Sequence, residues 1–152
     1  MSAPKLPLAG ACRCGDLGIE ITAAPFLTAA CHCAGCRKMS ASAFSLTAMV
    51  PAAGFAVTRG EPVVGGVRGP TLRHMFCPDC KTWAYTRIVG VEAFVNVRPT
   101  MFEDTAWFIP FIETCTAEKL PWAHVPARYS FDAFPDPSQY DELTAAYAAA
   151  HG

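Results

Sequence analysis

Cys31-His32-Cys33-Ala34-Gly35-Cys36-Arg37-Lys38 places three thiols within six residues and two cations directly behind them. Three thiols on one short turn cannot all point into a core, so packing is a poor reason for the spacing. A soft metal ion is a better one. Thiolates favour zinc, and zinc usually takes four ligands at the corners of a tetrahedron. The small Ala34-Gly35 pair lets the backbone bend around such an ion. The claw supplies three corners and leaves the fourth to be accounted for.

Outward from the claw, the chain reads as short strands. On its N-terminal side, Phe26 to Ala30 predicts a short strand that delivers Cys31, and Ile19-Glu20-Ile21-Thr22 alternates with the period of a half-buried strand. Before that, Pro4 to Gly10 is an extended arm leading to Gly10-Ala11-Cys12-Arg13-Cys14-Gly15, a second thiol knuckle bracketed by glycines. On the C-terminal side, Met39 to Ala43 predicts a loop or one helical turn, and Phe44 to Val50 a strand stopped by Pro51. Phe55 to Thr58 and Pro62 to Val64 are short strands, with Arg59-Gly60-Glu61 as a hairpin-like connection. Thr71 to Phe76 alternates and runs into Cys77-Pro78-Asp79-Cys80, followed by strand patterns at Trp83 to Thr86 and Val91 to Val97. Trp107 to Ile112 is an apolar block around Pro110. Only Asp141 to Ala149 has a helical character, with acids at its start where they suit the dipole. Many short strands with 13 prolines and 11 glycines predict a mainly β fold with a short C-terminal helix.

The chain has 152 residues, 52% of them apolar and 16% charged, which predicts one ordered domain over residues 1–152. The net charge is −1 and no Lys/Arg block occurs, so the electrostatic footprint of a nucleic-acid binder is missing. No apolar run has the length of a membrane span or a secretion signal, and the expected compartment is the cytoplasm. A homo-oligomer is compatible with the composition. In a reducing compartment, eight cysteines argue for metal rather than disulfides. The Cys-x-Cys pairs are also too close to bond internally without strain.

Seven of the thiols fall into three groups: Cys12 with Cys14, Cys31 with Cys33 and Cys36, and Cys77 with Cys80. Two partitions satisfy zinc. Cys12, Cys14, Cys77 and Cys80 can close one site and leave the claw as a three-ligand site. Alternatively, Cys33-Cys36 can pair with Cys77-Cys80 as a zinc ribbon, with Cys12, Cys14 and Cys31 left over. The first uses every clustered cysteine and yields one closed, structural site and one open to water or substrate. Spacing alone leaves both standing.

Gly10-x-Cys12-x-Cys14-Gly15, Cys31-x-Cys33-x-x-Cys36-Arg37-Lys38 and Phe76-Cys77-x-x-Cys80 together resemble the glutathione-dependent formaldehyde-activating enzymes, or S-(hydroxymethyl)glutathione synthases. The similarity extends to Ser42-Ala43-Phe44 and to Glu118-Lys119-Leu120-Pro121-Trp122, covering roughly residues 8 to 123. The resemblance implies a β-tent of twisted antiparallel sheets. It also implies a structural zinc on Cys12, Cys14, Cys77 and Cys80, and a second zinc on Cys31, Cys33 and Cys36. The chain departs from the family pattern at Lys81, which stands where glycine usually follows the last thiol pair. It departs again at Ala41, in place of a frequent glycine, and at Met101 to Asp104, in place of a small-Gly-Leu-Asp turn. None of these removes a metal ligand.

Three thiolates donate strongly to zinc and make it a weaker Lewis acid than a histidine-rich site, which disfavours a zinc-hydroxide hydrolase. A fourth thiolate is the natural guest. The expected activity is therefore that of a carbon–sulfur lyase or synthase, in which glutathione is the thiol co-substrate and adds to formaldehyde or a related aldehyde. Cys31, Cys33 and Cys36 are its reacting centre. Arg37 and Lys38 are candidates for holding glutathione's carboxylates, or else solvated surface cations. The alternative is a glutathione carrier or a zinc-stabilised interaction module without catalysis. A zinc deaminase is excluded, since no histidine has Glu two residues later and no proline precedes Cys77. His32 is expected to turn away from the claw, His74 to be structural, and Cys115 to be a buried apolar thiol. Cys115 is also the one further protein thiol able to complete the claw. Trp107, Phe108, Phe111 and Trp122 are expected in the core or a pocket wall.

Overall fold

Alternating side chains need a face to bury, and here two sheets supply it to each other. The computed structural model describes residues 2–67 and 69–152. β1 (Leu8–Ala11), β2 (Gly18–Ile21) and β5 (Phe55–Arg59) form a three-stranded antiparallel sheet in the order β1-β2-β5. The larger sheet contains β3 (Leu27–Cys31), β4 (Ser45–Pro51), β6 (Val63–Gly65), β7 (Leu72–Phe76), β8 (Trp83–Ile88), β9 (Val91–Val97), β10 (Ile112–Thr114) and β11 (Tyr129–Ser130). Its order is β11-β10-β3-β4-β9-β8-β7-β6. The mainly β architecture expected from the sequence is the one adopted. β10 departs from the antiparallel rule, running parallel to both β3 and β11.

The core lies between the sheets. Leu17 just before β2, Ile19 and Ile21 of β2 and Phe55 of β5 pack with Ala48 and Val50 of β4, Tyr85 of β8 and Val95 and Val97 of β9. Full burial of each such aliphatic side chain contributes about 1.5–3 kcal/mol. Cys12 and Cys77 belong to this same cluster, so the core itself presents two thiols to one corner of the molecule. A second cluster forms where α2 (Tyr140–His151) lays Leu143 and Tyr147 against Leu27, Phe111 and Ile112.

Two local readings change. The Met39 to Ala43 turn is the end of a seven-residue helix, α1 (Ala34–Ser40), which begins inside the claw. Its N-cap is Cys33, whose sulfur accepts the Cys36 N–H at 3.3 Å, and none of its residues is buried. The thiols, rather than an apolar face, therefore tie α1 down. Arg59-Gly60-Glu61 is no hairpin, because β5 belongs to the small sheet and β6 to the edge of the large one.

Candidate metal centres

The first thiol group comes from two loops over the core. Cys12 and Cys14 follow β1, and Cys77 and Cys80 fill the β7–β8 turn. Their four sulfurs lie within 4.8 Å of one another, with Cys12 to Cys14 at 3.6 Å and Cys14 to Cys77 at 3.7 Å. At a Zn–S bond of about 2.3 Å, the sulfurs of a tetrahedral site stand roughly 3.8 Å apart. The four cysteines thus fit zinc. The Leu17 N–H donates to Cys12 Sγ at 3.3 Å, and Thr82 Oγ1 lies 3.1 Å from Cys80 Sγ, contacts that orient the sulfurs. Lys81 closes the turn with φ +61°, the left-handed conformation a glycine adopts freely. The turn geometry survives the loss of glycine. The Lys81 ammonium folds back to donate to the Pro78 carbonyl.

The second group is the claw. Cys31 ends β3, Cys33 caps α1, and Cys36 sits in its first turn; their sulfurs also lie within 4.8 Å of one another. The hydrogen bond from the Cys36 thiol draws Cys31 down to about 5, and the same contact drives Cys36 up. Crowded thiols ionise together only when a cation joins them, which is the behaviour of a metal ligand set. The geometry thus distributes the clustered thiols as four and three. The zinc-ribbon pairing of Cys33-Cys36 with Cys77-Cys80 is not the arrangement found.

His32 is fully buried and faces away from the claw's ligand set. Its Nε2 lies 3.3 Å from Glu113 Oε2, its ring meets Phe44 edge-on, and its backbone N–H donates to the Thr114 carbonyl. Cys115 is buried, with φ +57°. Burial first, and then the negative charge of Cys31, push its thiol up to about 12. It neighbours Cys31 without joining the three-sulfur group. Arg37 is half-buried and Lys38 exposed, both on α1. His74 is structural, its Nδ1 being 2.9 Å from Thr86 Oγ1. Trp107 and Phe111 are core residues, whereas Trp122 is 75% exposed.

Between the two thiol groups lies a cleft of about 360 Å³ that sequence reading missed. One wall, Met39 to Leu46, follows the claw, and the other, Lys81 to Trp83, follows Cys80; Arg98 and Thr100 close it. Ser45 stands directly across the β3–β4 pair from Cys31. Arg98 is buried under the Trp83 ring, 3.7 Å from its centroid. Its guanidinium donates to the Leu46 carbonyl at 2.8 Å, Thr47 Oγ1 at 2.7 Å and Thr86 Oγ1 at 3.3 Å. Burial lowers it to about 10, while Cys36 and Cys31 act in the opposite direction. These residues share no local motif; strand pairing among β4, β9 and β8 gathers them.

The family model described as "Glutathione-dependent formaldehyde-activating enzyme" matches residues 7–118. A crystal structure of a Rhodobacter sphaeroides protein is similar in fold, with a TM-score of 0.52 and 21% identity. That match covers 63% of this chain and 88% of the other. No curated protein matches the chain.

Proposed function

This chain belongs to the glutathione-dependent formaldehyde-activating enzyme family, and on that premise we propose that it is a zinc-dependent carbon–sulfur lyase or synthase. Its substrates are glutathione and formaldehyde or a related small aldehyde. Cys31, Cys33 and Cys36 hold the zinc of the reacting site, and Cys12, Cys14, Cys77 and Cys80 hold a structural one. One observation carries the reading. Among the described residues, three sulfurs rather than four gather at the claw, and a cleft is lined by the segment that follows it, Met39 to Leu46.

Zinc bound there favours the ionised form of a thiol whose free pKa is about 8.5. The overall reaction balances without an oxidant: the thiol S–H breaks, a C–S bond forms at the carbonyl carbon, and the proton ends on the carbonyl oxygen. The protein's own residues supply the setting. Arg98, held by Leu46, Thr47 and Thr86, offsets the negative charge of the thiolate cluster. His32 and Glu113 fix the loop that carries Cys31 and Cys33. No helix among the described residues is long and apolar enough to cross a membrane, so the reading involves no membrane-spanning helix.

Catalytic amounts of zinc-loaded protein should speed hemithioacetal formation above the spontaneous rate. Cys36→Ser should abolish the gain while leaving the four-thiol site of Cys12, Cys14, Cys77 and Cys80 loaded. Glutathione binding without any acceleration would make the protein a carrier instead.

A further inference from the structure

A hydroxyl has one proton to give and two lone pairs to fill, so its partners constrain one another's protonation states. Thr86 Oγ1 on β8 has three partners: His74 Nδ1 at 2.9 Å, Trp83 Nε1 at 3.0 Å and Arg98 Nη2 at 3.3 Å. Indole and guanidinium nitrogens only donate, so Trp83 and Arg98 occupy both lone pairs. The Thr86 proton then has one acceptor among the described residues, His74 Nδ1. His74 is therefore neutral, with its ring proton on Nε2. Thr86 is 3% exposed, so a partner it loses is not replaced by bulk water. Arg98 also donates to the Leu46 carbonyl and Thr47 Oγ1 of β4, and its charge is matched by Cys31 and Cys36. Through these bonds Arg98 ties β4 to β8, which supply Ser45, Leu46 and Trp83 to opposite walls of the cleft.

We propose that His74, Thr86, Trp83 and Arg98 form a proton-operated latch: a proton added to His74 Nδ1 breaks the Thr86–Arg98 bond and uncouples the β8 wall of the cleft from the β4 wall. The donor count sets the step. Once protonated, Nδ1 must donate, and three donors compete for two lone pairs. Arg98 is the partner that leaves. Its bond is the longest of the three, it keeps two others on β4, and the new imidazolium repels it. Trp83 stays, because its buried indole N–H has no other hydrogen-bond partner among the described residues. The groups around the ring allow this reading. β8 presents Thr86 and Trp83, the residue after β9 presents Arg98, β6 meets it at Gly65, and Met39 of α1 closes with it on Gly66. Arg73 and Arg87, paired with each other beside it, are exposed and occupy the alternate strand positions. Burial and the charge of Arg98 keep the ring neutral until the solution is acid, so the latch is closed at neutral pH. The step moves one proton and uses neither zinc nor thiol, so it stands apart from the function proposed above.

Nitrogen NMR of isotope-labelled, zinc-loaded protein tests the latch. At neutral pH the His74 ring should carry its proton on Nε2 alone. The two Arg98 Nη groups should give separate signals, because their bonds stop the guanidinium from turning. As pH falls through the His74 midpoint, exchange between the Nη positions should speed at least about tenfold, with the Trp83 indole signal retained. His74→Phe keeps a ring against Trp83 but has no Nδ1, so its Arg98 should stay slow over the same range. That variant also controls for zinc lost to acid, which would affect both proteins alike. Thr86→Val keeps the side-chain shape without the oxygen and should leave Arg98 fast at every pH. Should that variant fail to fold, the native protein and His74→Phe decide the matter. A proton on Nδ1 at neutral pH, an Arg98 rate that ignores the His74 titration, or the same acid response in His74→Phe overturns the latch.

Discussion

His32 Nε2 lies 3.3 Å from Glu113 Oε2, and both side chains are buried. Glu113 also accepts from Ser130 at 3.0 Å and has Lys119 Nζ at 3.9 Å, so the claw loop is tied to β10 and, through it, to β11. The proposed ligands Cys31 and Cys33 flank His32 on this loop. Glu113→Leu should cost about 1–3 kcal/mol of stability, the penalty for stranding a buried polar group. It should also weaken claw zinc binding roughly 10- to 100-fold, as loss of an outer contact does elsewhere. Denaturant unfolding and chelator competition measure the two effects. Unchanged zinc affinity would mean that the tie serves the fold alone.

Cys115 neighbours Cys31 but stands outside the three-sulfur group. Cys115→Ser should therefore retain two zinc ions per chain by elemental analysis, with claw affinity changed by less than about threefold. Loss of one equivalent would identify Cys115 as a ligand and remove the open position on which the activity depends.

Ala41 caps α1 at φ +50° and ψ +43°, a left-handed conformation that costs a residue with a Cβ about 1–2 kcal/mol. Glycine relieves that cost but adds freedom to the unfolded chain, worth about 0.4–1 kcal/mol. Ala41→Gly should accordingly stabilise the zinc-loaded protein by about 0.5–1 kcal/mol in urea unfolding. A destabilisation would show that the cap is held by contacts the methyl group makes.

His74 is held below the ordinary histidine range, first by burial and then by the positive charge of Arg98. Its neutral form is the one favoured in the folded state. The stability it contributes is complete above the unfolded value near 6.5 and is lost as pH falls through the lower folded value. An NMR titration of the His74 ring should give a midpoint below 6.5, and Arg98→Gln should raise it. A midpoint at or above 6.5 in the native protein would contradict the placement of Arg98.

Much of this arrangement was legible before the fold was known, for reasons that differ along the chain. Strands such as β4 and β9 announce themselves because residues such as Ala48, Val50, Val95 and Val97 alternate with half-buried neighbours. The thiol groups are legible because metal ligation forces short spacings. Helix α1 is not, since it buries no residue, has no acid in its first turn, and is capped by a cysteine rather than by serine, threonine or aspartate. The reading of Arg59-Gly60-Glu61 as a hairpin failed because local turn chemistry cannot say which sheet the next strand joins. Arg98, Ser45 and Lys81 were beyond local reading for a related reason. They are 17 to 53 residues apart in the chain and meet only through sheet order. Lys81 and Ala41 did carry a signal: each replaces a glycine usual in the family, and each proves to occupy the left-handed conformation.

X-ray absorption at the zinc edge, with and without glutathione, tests the central claim most directly. With one four-sulfur and one three-sulfur site, protein loaded with two zinc ions should show an average of about 3.5 sulfurs per metal, rising to about 4 when glutathione is added. An average that stays at its starting value on saturation with glutathione would contradict a claw that receives an incoming thiol.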